Sequence, residues 1–173
     1  MDLKQYIRTI PDFPKPGIQF RDITTLLGDS GAFSHTIDRL VERYEPAGAG
    51  AIVGIESRGF IFGAALAARL DLPFVPIRKE GKLPYTTMRQ EYALEYGQGV
   101  VEIHHDALHQ GQRILLVDDL LATGGTLLAC AKLVELLGAE VIECAVVIEL
   151  PDLGGRERLR GYEVFSMVSF EGD

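Results

Sequence analysis

Apolar residues fall along this chain in two alternating rhythms. Short runs at Ala51–Ile55 (AIVGI), Pro73–Ile77, Arg113–Val117 and Glu140–Leu150 read as buried strands, and a last one returns at Glu163–Ser169. Between them the spacing turns helical. Phe33, Ile37, Leu40, Val41 and Tyr44 form one stripe of a helix from Gly31 to about Tyr44, with Ser30 as its N-cap. Further helices are expected at Phe60–Leu70 and at Thr126–Leu137, the latter ended by Gly138, with a short helical piece at Arg156–Leu159 inside the charged turn Pro151–Gly161. Strands alternating with helices require a mostly parallel sheet, in which the long Glu140–Leu150 strand reads as central.

Two segments break this rhythm. Leu3–Ile10 reads as a short amphipathic helix, followed by a stiff, non-helical arm to Asp22 that carries Pro11, Pro14, Pro16 and Gly17. Such an arm costs little entropy to order, which suits a cover over a ligand as well as a strap packed on the core. Glu91–Tyr96 and Val100–His104 alternate polar and apolar residues around Gly97–Gly99 and predict a two-stranded flap.

The chemistry concentrates after Arg113–Val117, in the continuation DDLLATGGT. Small residues let backbone N–H groups converge on an anion, Gly124 and Gly125 tolerate positive φ, and Thr123 and Thr126 add hydroxyl donors where the helix dipole is positive. Ala122, Thr123, Gly124, Gly125 and Thr126 thus make a cradle for one phosphate. Asp118 and Asp119 cannot face the same oxygens, because like charges at 4 Å repel by about 4 kcal/mol near a protein surface. They suit hydroxyls, or a metal reached through water. A phosphate beside a diol is a sugar phosphate, and the carboxyl end of a parallel strand is where open α/β sheets bind ligands. An ordinary strand–turn–helix with a polar loop is the plainer alternative.

A second anion site is expected at the polar turn Glu56, Ser57, Arg58 before the next helix, completed by Arg78, Lys79 and Lys82 at the end of the Pro73–Ile77 strand. Gly48, Gly50 and Gly54 do not make a dinucleotide fingerprint, since their spacing is wrong and two of them precede the strand. Ser57 lacks a nucleophile elbow. His104, His105 and His109 lack the further ligand or HExxH pattern of a metal site.

Composition narrows the partners. The chain has 173 residues, 47% hydrophobic and 24% charged, which suits one soluble domain, and its net charge of −8 disfavours nucleic acid or an anionic membrane. Cys130 and Cys144 stand singly in apolar surroundings, as expected in a reducing compartment. The start MDLKQYIRTI lacks the features of an export signal, so a cytoplasmic location is expected.

VDDLLATGGT resembles the phosphoribosyl-pyrophosphate (PRPP) signature of the type I phosphoribosyltransferases, in the wording of the branch that acts on adenine. FPKPGIQFRDIT, ESRGFIFG, RKEGKLPY, ALEYG and ECAVVIEL extend the resemblance over essentially the whole chain. It implies that family's α/β fold over 1–173: a mostly parallel twisted sheet flanked by helices, a small N-terminal hood at about 1–30 and a flexible β-hairpin flap at about 82–104. It also implies conversion of adenine and PRPP to AMP and pyrophosphate in purine salvage, with Mg²⁺ held mainly by substrate and water, in a homodimer. By the same resemblance Ala122–Thr126 hold the 5′-phosphate and Asp118 and Asp119 the ribose. Glu56, Ser57, Arg58, Arg78, Lys79 and Lys82 take pyrophosphate, Lys82 reaching in from a partner subunit in some members, and a non-proline cis peptide is expected at Glu56–Ser57. Gln19, Phe20, Arg21 and Leu120 contact adenine. Glu95 is the expected catalytic acid/base, in reach only once the flap closes. A 6-oxopurine enzyme and a non-catalytic PRPP-binding regulator are the alternatives.

Overall fold

The computed structural model describes residues 1–93 and 98–172. In chain order these form β1 (Arg8–Pro11), β2 (Gln19–Asp22), α1 (Thr24–Gly28), α2 (Ser30–Tyr44), β3 (Ala51–Ile55), α3 (Gly59–Leu70), β4 (Phe74–Lys79), β5 (Thr87–Ala93) and β6 (Gln98–His104). There follow β7 (Arg113–Leu121), α4 (Gly125–Leu136), β8 (Glu140–Glu149), α5 (Gly155–Arg158) and β9 (Val164–Ser169). One sheet runs β5-β6-β4-β3-β7-β8-β9, and β1 and β2 make a separate antiparallel ribbon. The five strands β4, β3, β7, β8 and β9 are mutually parallel, while β6 joins β4 antiparallel and β5 folds back on β6.

Side-chain alternation loads both faces of this sheet. Ala51, Val53, Ile55, Ile114, Leu116, Cys144 and Val146 point to one face, where they bury Leu127, Cys130, Leu133 and Val134 of α4. Ile52, Leu115, Val117, Ala145 and Val147 point to the other and meet α2, α3 and the N-terminal Leu3 and Ile7. Burial on both faces explains why β3 reads as an unbroken apolar run, as parallel strands do. The first parallel strand, β3, thus has β4 on one side and β7 on the other, and the helices that follow β3 and β7 cover opposite faces. A crevice opens between such a pair at their carboxyl ends, the topological switch point of an open α/β sheet.

Several expectations change. Leu3–Ile10 is not a helix: a 3₁₀ turn at Leu3–Tyr6 leads into β1. The reason is long-range, since Arg8 to Pro11 pair with Asp22 to Gln19, which turns the end of the proline-rich arm into β2. The cap of α2 is Asp29, not Ser30; Asp29 is extended at φ −101°, ψ 111° and accepts from the Ala32 N–H at 2.8 Å. β7 does not stop at Val117 but runs to Leu121, because Asp118, Leu120 and Leu121 keep pairing with Val146, Ile148 and Glu149. β8 is interior but lies next to the edge strand β9, and β3 holds the centre.

The ribbon is pinned by Asp22. Arg8 Nη2 donates to Asp22 Oδ2 at 2.6 Å, and the Thr24 amide and hydroxyl donate to Oδ1 at 2.9 and 2.7 Å. Hydrogen bonds from the Thr24 amide, Arg8 and the Thr24 hydroxyl, in that order, hold the Asp22 carboxyl down at about 2. A depressed carboxyl contributes stability above its unfolded pKa and loses it as pH falls towards the folded value. Asp22→Asn is therefore expected to destabilise the ribbon by about 1 kcal/mol at pH 7, discounted for the exposure of Arg8. The gap to wild type should close between pH 4 and 2, read by amide exchange of β1 and β2.

Candidate active site

At the switch point lies a cavity of about 530 Å³ with three kinds of wall. The turn between β3 and α3 supplies Glu56, Ser57 and Arg58, the end of β4 supplies Lys79, and Asp118 to Leu127 run along the opposite side. The Glu56–Ser57 peptide is cis, as expected from the resemblance.

The loop from Ala122 to Thr126 has the form its composition predicts. Gly124 takes φ +77° as the N-cap of α4, and no side chain caps that helix. The first N–H groups of a helix have no intrahelical partner, so an uncapped start in a cavity wall offers donors and a positive dipole end to an anion. The loop is wedged from behind by α5. A Cβ on Gly124 would stand 2.8 Å from the Gly155 carbonyl oxygen, and one on Gly155 would run into the Ala122 carbonyl oxygen.

The acidic pair sits inside β7 and not beyond it, so its two side chains leave the strand differently. Asp118 packs against the start of α3, where a Cβ on Gly59 would lie 2.9 Å from Asp118 Oδ1. Its Oδ1 accepts from the Asp119 N–H at 2.9 Å. Asp119 is 5% exposed, and its Oδ2 lies 2.7 Å from Arg58 Nε without an aligned hydrogen bond. Burial, and then the neighbouring Asp119 charge, push the Asp118 carboxyl well up. Burial also raises Asp119, with Arg58 pulling the other way. Such a pair gains from hydroxyl donors or a cation arriving in the cavity.

The expected pyrophosphate residues divide into two groups. Ser57, Arg58 and Lys79 line the cavity. Glu56 lines it too, but its carboxylate is turned to Arg78, at 3.2 Å from both Nε and Nη2, and to the Lys79 amide at 3.0 Å. Arg78 also donates to the Lys82 carbonyl at 3.1 Å, so it braces the loop after β4 from outside the cavity lining. Lys82 is exposed beyond that lining.

Of the expected adenine contacts, Leu120 lines the cavity, whereas Gln19, Phe20 and Arg21 stand on β2 beside it. Phe20 meets Phe13 edge-on at 5.2 Å, and its ring lies 5.6 Å from Arg58 Cζ, which joins the ribbon to the β3–α3 turn. Arg21 donates to Thr9 Oγ1 at 2.7 Å and lies over Phe170. Glu95 lies outside the described residues. Tyr92, on the flap strand β5 opposite Gly99, lines the cavity and was not among the expected site residues.

The comparisons with known proteins agree with this architecture. Residues 31–172 match the family model described as phosphoribosyl transferase domain, and the chain belongs to that family, with the type I phosphoribosyltransferase fold. An adenine phosphoribosyltransferase of Chloroflexus aurantiacus is 60% identical over 169 residues, covering 98% of both chains. The crystal structure of an adenine phosphoribosyltransferase from Thermoanaerobacter pseudethanolicus superposes with a TM-score of 0.94 at 51% identity, again over 98% of each chain. That of Saccharomyces cerevisiae, complexed with adenine and an imino-altritol bisphosphate, gives 0.91 at 40% identity, over 96% of this chain and 97% of its own.

Proposed function

We propose that this chain is an adenine phosphoribosyltransferase, converting adenine and PRPP to AMP and pyrophosphate in purine salvage. Curated relatives of that name at 55–60% identity over nearly the full length support the reading. The observation that carries it at the level of the site is the meeting, at one switch point, of an uncapped Thr–Gly helix start and an acidic pair, Asp118 half-buried and Asp119 buried. The first suits the 5′-phosphate and the second the ribose hydroxyls.

In the reaction, N9 of adenine bonds to the anomeric carbon of PRPP as that carbon's bond to pyrophosphate breaks, through a transition state with oxocarbenium character. Ala122–Thr126 fix the phosphate end and Asp118 and Asp119 the diol, so the anomeric carbon is held between the purine and the leaving group. Ser57, Arg58 and Lys79 stabilise the pyrophosphate, with Arg78 and Glu56 holding the loop that presents Lys79 and Lys82. Phe20 and Leu120 flank the purine, and the main chain of Gln19 and Arg21 reads its edge. The donor set fits Mg²⁺ resting mainly on ligand oxygens and water. Asp119 Oδ2 has no aligned hydrogen bond and can meet a bound water. When bound, Mg²⁺ offsets the negative charge of the leaving group. The homodimer and cytoplasmic setting that the resemblance and composition imply belong to this proposal; no helix among the described residues is long and apolar enough to cross a membrane.

Incubation with PRPP and each purine base, reading pyrophosphate release, tests the assignment. Release with adenine at a rate ~10⁴-fold above hypoxanthine or guanine is expected, because a site built for one edge pattern leaves polar groups unpaired with the other. Preference for a 6-oxopurine would make the chain a sister enzyme, and PRPP binding without turnover would make it a regulator. Glu95 is proposed to manage the purine proton, so Glu95→Gln should lower kcat ~10²-fold with little change in the KM for PRPP; an unchanged kcat removes it from the mechanism.

A further inference from the structure

The segment Gly154-Gly155-Arg156-Glu157-Arg158 reads in the sequence as a charged turn, yet its backbone forms the rear wall of the phosphate loop. It is anchored from the sheet. Arg156 Nε and Nη2 donate to the buried Glu149 carboxylate at 2.6 and 2.8 Å, Arg156 Nη1 donates to the Val164 carbonyl at 2.8 Å, and Ser166 Oγ donates to Glu149 Oε2 at 2.6 Å. Burial opposes charge on Glu149, but the Arg156 and Ser166 hydrogen bonds more than offset it and keep the carboxyl below its ordinary value. With Gly155 pressed on the loop, the next turn of chain carries Arg158 over it. The Arg158 Nη1 atom would lie 3.2 Å from a Cβ built on Gly125, the first residue of α4, with the Ala93 carbonyl oxygen 3.6 Å and Tyr92 Cδ2 3.9 Å from the same point.

This is an awkward place for a cation. A helix N-terminus carries a partial positive charge, so a guanidinium there is repelled unless an anion lies close by. Arg158 has no side-chain hydrogen bond or ion pair among the described residues, whereas its neighbours Arg156 and Arg160 pair with Glu149 and Glu157. The loop Ala122–Thr126 contains no basic side chain of its own, and Arg58 faces Asp119.

We propose that Arg158 is the side-chain cation of the phosphate loop, binding the phosphate monoester of AMP and PRPP from the α5 side, between the loop and the base of the flap. The proposal rests on the reading of Ala122–Thr126 as the phosphate cradle. In it the main-chain amides supply directional hydrogen bonds, and Arg158 supplies the charge that the loop lacks.

Titration calorimetry with AMP and with adenosine, which differ only by the phosphate, isolates this role. Arg158→Gln should weaken AMP ~10-fold and leave adenosine within twofold, with a shallower dependence of AMP affinity on salt. Arg158→Lys should recover most of the AMP affinity. An Arg158→Gln protein that binds AMP as wild type does would make Arg158 a solvated surface residue and overturn the proposal. So would parallel losses for AMP and adenosine, which would mark a structural effect. Wild-type protein that fails to prefer AMP over adenosine would remove the phosphate cradle itself, and Arg158 with it.

Discussion

Converting Asp118 and Asp119 together to asparagine is expected to cost ~10³-fold in kcat/KM for PRPP, while adenine binding changes little. Each carboxylate that accepts from a ribose hydroxyl contributes a charge-assisted hydrogen bond of roughly 2 kcal/mol, and the pair together about 4. In the proposed binding mode the pair meets the ribose and not the adenine, so equal losses for both substrates would mean that the pair is structural. Stability should move the other way, and the single change Asp118→Asn is the place to see it. Asp118 is raised by burial and by the charge of Asp119. A carboxyl raised on folding burdens the native state above its unfolded pKa, fully so once the pH exceeds the folded one, and the burden vanishes below the unfolded pKa. Asparagine keeps an acceptor for the Asp119 N–H and drops the charge. Its melting temperature should therefore exceed wild type by a few degrees at pH 7 to 8, each ~1 kcal/mol being about 2–4 °C in a chain of this size. The gain should shrink as the pH is lowered towards 4. A stabilised protein that has lost its substrate is the signature of a site held under electrostatic strain.

How far these features could be read without coordinates depended on the range of the interactions behind them. β3 was legible because five apolar residues buried on both faces admit few other structures. The conformation of the Ala122–Thr126 loop was legible because its glycines and the helix start lie within five residues. β7 was cut short because Asp118 and Asp119 look like the end of an apolar run, and only pairing with β8 carries the strand through them to Leu121. The N-terminal segment was misread for the same reason: Leu3–Ile10 has a helical spacing, but Arg8–Pro11 finds its partner in β2. Asp29 and Ser30 are adjacent residues of similar capping strength, and local sequence does not decide between them. The contributions missed altogether, Tyr92 lining the cavity from the flap and Gly155 backing the Ala122–Thr126 loop from α5, come from elements far from the motif. Their meeting is a property of the sheet order.

Gly155→Ala should show how tightly the last turn sets the loop. The added methyl would meet the Ala122 carbonyl oxygen and stand 2.7 and 2.8 Å from Leu121 Cδ1 and Cγ, so the loop backbone has to shift. Overpacking of this kind costs roughly 1–3 kcal/mol of stability. A displacement of about 1 Å in a positioning element can lower activity ~10²-fold, here through the KM for PRPP. The adjacent Gly154→Ala is the control. Gly154 has φ +67° and open space where its Cβ would go. It should therefore lose about 1 kcal/mol from backbone strain alone and keep its affinity for PRPP. If both variants lose stability but only Gly155→Ala loses PRPP, close approach of α5 shapes the phosphate loop. Should Gly155→Ala bind PRPP normally, the loop holds its form without that support, and the geometry inferred for Arg158 loses its basis as well.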